Sequence, residues 1–238
     1  MSWNLKGRAA IAAFDPPTRY RILNSHTMTR CTNKPLLWVL EELCNLRSLG
    51  GLAGPLHAAD HFICLVARLL QICPAPAIVR VMLEQEVHKY MRAAALVLIR
   101  LIGSASFQKE ALRIGWDDYR KLCLYGSDPA QEWAESTTTA DADTATGHAN
   151  TLSSSLLPLQ QKRPRTEAEG GAENRDSAPQ PPRYWLVRLD EFTDYLFGTA
   201  PLPDGLGAEP VAAESGAGRS RTLPAHVFMG IQLPALLL

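Results

Sequence analysis

No apolar stretch in this chain approaches the length needed to span a membrane: the strongest, Ala93 to Ile102, follows Arg92 and is broken by Arg100 and Gly103. Nor is there an excess of charge of one sign, since 24 Lys and Arg balance 24 Asp and Glu. An overall polybasic or polyacidic chain is therefore excluded. Cys31, Cys44, Cys64, Cys73 and Cys123 are odd in number, scattered and set mostly among apolar residues. They do not suggest a disulfide framework and read as free thiols of a reducing compartment. His57, His61, Cys64 and Cys73 fall close together but lack the paired spacing that zinc sites favour, so no metal is expected there. No Ser stands in a G-x-S-x-G elbow, and Gly50-Gly51-Leu52-Ala53-Gly54 has no Gly-Lys-Ser/Thr after it to make a phosphate loop. Enzymatic chemistry and a bound cofactor are not expected. Lys6 and Arg8 precede a short Ala/Ile run, but Phe14-Asp15-Pro16-Pro17 follows where a cleavage site would stand. No signal peptide is read, and an intracellular protein is expected.

What the chain does have is a series of apolar runs at helical spacing, punctuated by Gly and Pro. Its 238 residues suffice for one ordinary domain plus tails. After Pro16-Pro17 a short helix is expected over Arg19 to Asn24. From Lys34-Pro35 onward, Leu36, Leu37, Val39, Leu40, Leu43, Leu46 and Leu49 recur about three and four residues apart, up to a stop at Gly50-Gly51. Leu52 to His61 reads as an ordered loop. Phe62 to Ile72 is apolar on most sides, as in the middle of a bundle, and Pro74-Ala75-Pro76 ends it. Ala77 to Gln85 is the next helix and Glu86 to Ile102 the longest, with Ala93, Ala94 and Ala95 letting a neighbour approach closely. Gly103 stops it and Ser104 caps the next stretch, expected as two short helices, Ser104 to Ile114 and Trp116 to Leu124, hinged at Gly115.

Beyond Gly126 the composition turns to Ser, Thr, Ala, Asp, Gln and Pro. Residues 127–182 carry 4 Lys and Arg against 9 Asp and Glu, whereas residues 1–126 carry 16 against 9. The helical part is basic and the insertion acidic. So few large apolar residues do not offset roughly 1–2 kcal/mol of backbone entropy per ordered residue, and a disordered insertion is expected. Within it Lys162, Arg163 and Arg165 form a short basic cluster of the kind nuclear-import receptors read. Structure is expected to return at Tyr184-Trp185-Leu186-Val187, and Leu189 to Phe197 places apolar residues on one face with Asp190 and Glu191 in its first turn. The organisation is thus a flexible leader (1–17), a helical domain (18–126), an insertion (127–182), the domain's last helix (183–198), and a loop with an apolar C-terminal segment (199–238). Twelve largely apolar residues from Val227 onward would be an aggregation hazard in water, so that segment is expected to dock on the domain. The fold class expected is all-α, a single irregular helical bundle interrupted before its last helices.

Trp116, Asp118, Tyr119, Arg120 and Lys121 combine aromatic and charged residues in one short stretch. Carboxylates among basic neighbours ordinarily make a solvated, ion-paired face. Aromatics and Arg, however, are enriched where proteins bind each other, which makes these five the candidate partner-binding edge. Contact with RNA is the alternative, since Tyr90, Arg92, Trp116, Tyr119, Arg120 and Lys121 could stack and neutralise a single strand.

The order and spacing of Leu49-Gly50-Gly51-Leu52-Ala53-Gly54, Phe62-Ile63-Cys64-Leu65, Leu69-Leu70-Gln71-Ile72-Cys73-Pro74, Arg100-Leu101-Ile102-Gly103 and Asp118-Tyr119-Arg120-Lys121 resemble the core domain of the pre-mRNA-splicing factor 38 family. Leu186 to Leu196 and Ile231-Gln232-Leu233-Pro234-Ala235-Leu236 continue the likeness. This chain departs from the family pattern before Phe62, where Ala59-Asp60-His61 replaces a Pro-Thr-Pro-like run, and at its end, where basic residues are replaced by Ala235 and leucines. The resemblance implies a non-enzymatic, all-helical scaffold of the nucleus that joins the spliceosome with the tri-snRNP and is needed for its activation. It further implies two protein partners, a zinc-finger splicing protein and a factor related to microfibril-associated protein.

Overall fold

From Tyr90 to Ile102 every residue of the longest helix, α6 (Lys89–Ile102), is buried, and the other elements are arranged around it. The fold is that of a computed structural model, which describes residues 2–53, 57–126, 128, 129, 131, 132, 183–199, 222, 223, 226–234, 236 and 237. Among these are eight α-helices and several short strands, so the protein is mostly helical, as the apolar periodicity predicts. The disordered insertion expected over 127–182 and the basic cluster Lys162, Arg163 and Arg165 fall almost wholly, and entirely in the case of the cluster, outside the described residues.

Local chemistry explains where the helices start. Helix α1 (Pro16–Leu23) has Pro in its first turn, and the Asp15 carboxylate accepts the Thr18 N–H at 3.1 Å. Ser25 caps the short α2 (His26–Cys31) in the same way, an element with no clear apolar period in its sequence. Helix α3 (Leu36–Asn45) is followed by α4 (His61–Ile72), capped by Asp60 and buried over Phe62 to Ala67, and by α5 (Pro76–Leu83). Cys73, in the left-handed region at φ 50°, and Pro74 separate α4 from α5.

Three readings of the sequence are corrected. The leader is not loose: Trp3 donates its indole N–H to the Pro74 carbonyl at 3.0 Å, Phe14 is buried, and Ala10–Ala13 form a 3-10 turn. Gly115 is not a hinge, because α7 (Ala105–Trp116) runs straight through it. A Cβ there would lie 2.4 Å from Oγ1 of Thr193 on α8 (Leu189–Phe197), so the glycine lets two helices touch. Lastly, Trp116 to Leu124 is not a helix. The chain turns after Trp116 and becomes a strand, β4 (Lys121–Gly126), with Leu122 and Leu124 buried between more exposed Lys121, Cys123 and Tyr125.

That strand is the middle of a three-stranded sheet. On one side it pairs in parallel with β1 (Leu49–Gly50), matching Leu49 to Leu124. On the other it pairs antiparallel over six residues with β5 (Arg183–Arg188), which leads directly into α8. Leu49 and Gly50 therefore belong to a strand, and α3 ends four residues before Leu49. The expected loop from Leu52 to His61 contains a small ladder of β2 (Leu52–Ala53) and β3 (Ala58–Ala59).

Near the end of the chain, β6 (Thr222–Leu223) pairs with β9 (Leu236–Leu237), and β7 (His226–Phe228) with β8 (Ile231–Leu233). The inner hairpin turns through Met229 and Gly230, both at positive φ as a tight two-residue turn requires. Phe228, Ile231 and Leu233 are buried, with the Phe228 ring 5.4 Å from that of Phe192. The turn is fastened from two sides: Leu52 donates its N–H to the Met229 carbonyl at 3.0 Å, and the Glu132 carboxylate accepts the N–H groups of Met229 and Gly230 at 2.7 and 3.2 Å.

This fastening relies on Gly51, where a Cβ would stand 1.9 Å from the Met229 carbonyl oxygen. Gly51→Ala is expected to lower unfolding stability by about 2 kcal/mol through backbone displacement, read as a fall in thermal midpoint. An unchanged midpoint would show that the hairpin does not depend on the close approach.

Candidate protein-interaction surface

The turn between α7 and β4 is organised by Asp118, whose side chain points inward and is 5% exposed. Its carboxylate is ion-paired with Arg92 on α6 and with Arg120, whose Nη2 and Nε lie 2.5 and 2.9 Å from its two oxygens. The Arg120 backbone N–H adds a further bond at 3.1 Å. Both guanidinium groups reach on to backbone carbonyls. Arg92 donates to Leu83 at the end of α5, at 2.8 Å, and Arg120 donates to Glu86 and Gln85 in the loop before α6. The backbone around the acid holds the next element, for Asp190 N–H donates to the Asp118 carbonyl and Leu189 N–H to the Arg120 carbonyl, both at 3.0 Å. Burial pushes the Asp118 carboxyl upward, but hydrogen bonds from Arg120 and the two guanidinium charges outweigh it and hold the pKa below 3.8.

Of the five residues singled out in the sequence, Asp118 and Arg120 thus hold the fold together, and Asp118 is too buried to meet a partner. The bland expectation of a solvated, ion-paired helix face fails for the same reason: these charges are largely withdrawn from water. Trp116 is exposed, and its indole N–H donates to Asp194 of α8 at 2.8 Å. Tyr119 and Lys121 face solvent.

The structure adds residues that the sequence did not single out. Because β4 and β5 pair Lys121 with Arg188, Cys123 with Leu186 and Tyr125 with Tyr184, these six share one face of the sheet. Leu186 is 74% exposed, Tyr184 67% and Tyr119 65%. The Tyr125 and Tyr184 rings lie 5.2 Å apart, and the Arg188 guanidinium sits 5.7 Å from the Tyr119 ring. The surface is apolar and aromatic with basic margins, and β5 is an outer strand of the described sheet. Such a combination suits binding to another protein. Its sequence signal, outward Tyr184, Leu186 and Arg188 alternating with Trp185 and Val187, is hidden because both sides of the strand are apolar.

No group of three or more His, Cys, Asp or Glu among the described residues could hold a metal ion. His61 instead lies 3.0 Å from the Glu42 carboxylate, and Cys64 is buried with its thiol pushed up to about 11 by burial. All five cysteines are unpaired.

Comparison with known proteins converges on one family. The family model for the PRP38 family matches residues 4–158. Pre-mRNA-splicing factor 38A of Xenopus laevis is 31% identical over 90 residues, covering 38% of this chain and 29% of that protein. The Homo sapiens protein of the same name is 32% identical over 84 residues, 35% of this chain and 27% of its own length. Each match therefore spans less than a third of the relative. Among solved structures, a chain of the Snu23-Prp38-MFAP1(217-258) complex of Chaetomium thermophilum is similar, with a TM-score of 0.49 and 26% identity over 54% of this chain and 68% of that one.

Removing the central acid tests the site's architecture. Asp118→Asn leaves the buried Arg92 guanidinium without its counter-charge and the half-buried Arg120 without its nearest one, and is expected to cost about 3 kcal/mol of unfolding free energy. Because the folded carboxyl has the lower pKa, its stabilisation is complete above the unfolded value near 4 and is lost as pH falls through the folded value. Chemical denaturation followed from pH 7 to 2 should show that loss in the parent and a flatter profile in the variant; equal profiles would show that Asp118 does not supply it.

Proposed function

The chain belongs to the PRP38 family, and from that premise we propose that it is a non-enzymatic, protein-binding component of the pre-mRNA splicing machinery. The observation that carries this reading is the exposed face built by Tyr119 and by Tyr184, Leu186 and Arg188 of β5, which is apolar, aromatic and at a sheet edge. A rigid sheet face offers such side chains at small entropic cost, because the strands beneath them are already ordered. A splicing scaffold works through surfaces of this kind, and no constellation suited to catalysis competes with it in the sequence.

In this reading the protein acts in the nucleus, joins the spliceosome in step with the tri-snRNP, and contributes to its activation. The partners implied are a zinc-finger splicing protein and a factor related to microfibril-associated protein. An extended segment adding to the outer edge of β5, or a helix laid across Tyr119 and Leu186, are the two docking modes such a surface accommodates. The family relationship supports this assignment, and the exposed sheet face supports protein contact as its means.

Residues free of structural duty supply the test. Tyr119 and Leu186 are exposed, whereas Arg120 is tied to Asp118. The double variant Tyr119→Ala with Leu186→Ala is expected to lose about tenfold or more in recovery of splicing proteins with the tagged full chain from nuclear extract, with unchanged circular dichroism. Undiminished recovery would reject this face. Recovery of mixed RNAs without splicing proteins would favour an RNA-binding module instead.

A further inference from the structure

Strand β5 is the outer strand of the described sheet, and three hydrogen bonds fix which way each of its residues turns its backbone. Leu189, which follows it, donates its N–H to the Arg120 carbonyl at 3.0 Å, on the β4 side. Arg188 donates its N–H to the Glu191 carboxylate at 2.9 Å rather than to β4. Cys123, opposite Leu186, donates its N–H to the Tyr90 hydroxyl at 3.4 Å rather than to β5. In an antiparallel pair the N–H and C=O of one residue point to the same side, and the side alternates along the strand. Trp185 and Val187 therefore bond β4, while Tyr184 and Leu186 turn both backbone groups outward. No described residue meets those four groups, and both residues are exposed.

The open stretch is short and bounded. Pro182 carries no N–H, and that of Arg188 is already engaged. Exposed sheet edges are ordinarily blunted by a charge, a bulge or a proline, yet Tyr184-Trp185-Leu186 has none of these. At one end of it, on the exposed face, Lys121 stands directly opposite Arg188, and like charges so placed repel. Arg188 is paired with Asp190 and Glu191 at 3.2 and 3.3 Å, whereas Lys121 has no carboxylate partner among the described residues.

We propose that this edge takes an extended segment of a partner protein as an added strand, antiparallel to β5, with a carboxylate beside Lys121 and Arg188. This rests on the protein-binding reading of the same face and supplies its mode and chemistry. Four main-chain hydrogen bonds at Tyr184 and Leu186 hold the segment, and its alternate side chains lie along the exposed face. A helix laid over the face would leave those four groups unused. A second copy fits less well. At about 150–250 Å² for a whole aromatic side chain, Tyr119, Tyr184 and Leu186 together offer about 400 Å², against the roughly 800 Å² per partner of a stable interface between folded proteins. The unpaired Lys121 selects an acid at its end of the strand.

The test uses the intact, isotope-labelled chain and the end-blocked peptide Glu-Val-Thr-Val-Thr, whose two Thr residues would bond Leu186 and Tyr184 with Glu beside Arg188. At millimolar concentration the peptide should shift the Tyr184 and Leu186 amide signals in NMR spectra and slow their hydrogen exchange about threefold. N-methylation of both Thr residues, whose N–H groups face the edge, should weaken binding about tenfold or more; N-methylation of both Val residues, whose N–H groups face away, should not. Gln in place of Glu, or Lys121→Ala in the chain, should weaken it about threefold. Unchanged Tyr184 and Leu186 amides, or equal loss from either methylation, would overturn strand addition. Undiminished binding without Glu would overturn the acid. Displacement of the peptide by oligouridylate at lower concentration, or protection of the same amides by a dimer seen in sedimentation, would overturn the partner segment as occupant. If the peptide fails while Tyr119→Ala with Leu186→Ala still loses splicing proteins, the face stands and the strand falls. If the peptide binds while that variant loses nothing, the edge stands and the splicing partner falls.

Discussion

One carboxylate shared by two guanidinium groups joins helix α6, the turn after α7 and the segments their other N–H groups reach, and the sheet is built from that point. Asp118 draws Arg92 of α6 and Arg120 of its own turn to the same point. Through their remaining N–H groups those arginines fix the end of α5 and the loop before α6. Through backbone bonds the same turn fixes the start of α8. Desolvating three charges is costly, and an apolar cluster of similar volume could stabilise as well. What the ionic cluster adds is direction: a guanidinium has donors at fixed angles, so four chain segments are held in one arrangement only.

The sheet depends on that arrangement. Strand β4 begins three residues after Asp118, and β5 runs straight into α8, so the cluster sets the point from which both strands start. Between their other ends lie residues 127–182. A connection of that length is compatible with tight pairing because loop-closure entropy rises slowly, about 0.6 kcal/mol for each doubling. Six paired residues and the burial of Leu122, Leu124 and Val187 act against it. The same pairing leaves the opposite face in solvent, which is how a structural device at Asp118 comes to present Tyr119, Tyr184 and Leu186.

A second buried arginine organises the other end of α6. Arg100 bonds the carbonyls of Leu196 and Pro234, connecting α6 to the end of α8 and to the residue after the C-terminal hairpin. Arg92 and Arg100 are two turns apart on one helix: Arg92 bonds the Leu83 carbonyl and the Asp118 carboxylate, and Arg100 bonds carbonyls of two segments distant in sequence. A helix as apolar as α6 packs well in many orientations about its axis; two buried cations that require acceptors select one of them.

Helices were legible in the residues because their signals are local. Leu and Val three and four apart, with Pro or Gly at the breaks, mark α3 to α6 to within a few residues, since each signal acts within one or two turns. Short α2 was missed because six residues carry too little periodicity. The candidate edge was legible only in part: Trp116 and Tyr119 are exposed, but nothing in the chain said that Asp118 would be buried or that Leu186 would lie beside Cys123. Those facts depend on a partner strand some sixty residues away and on an arginine from another helix. Leu122 and Leu124 suit a helix or a strand equally until β1 and β5 supply hydrogen bonds, and a carboxylate among arginines suits the surface until the packing of α5, α6 and α8 removes its water. Composition and spacing settle which segments coil and which residues leave water, because both depend on neighbours along the chain; pairing, register and the burial of charge depend on neighbours across space, and the assembled fold alone supplies them.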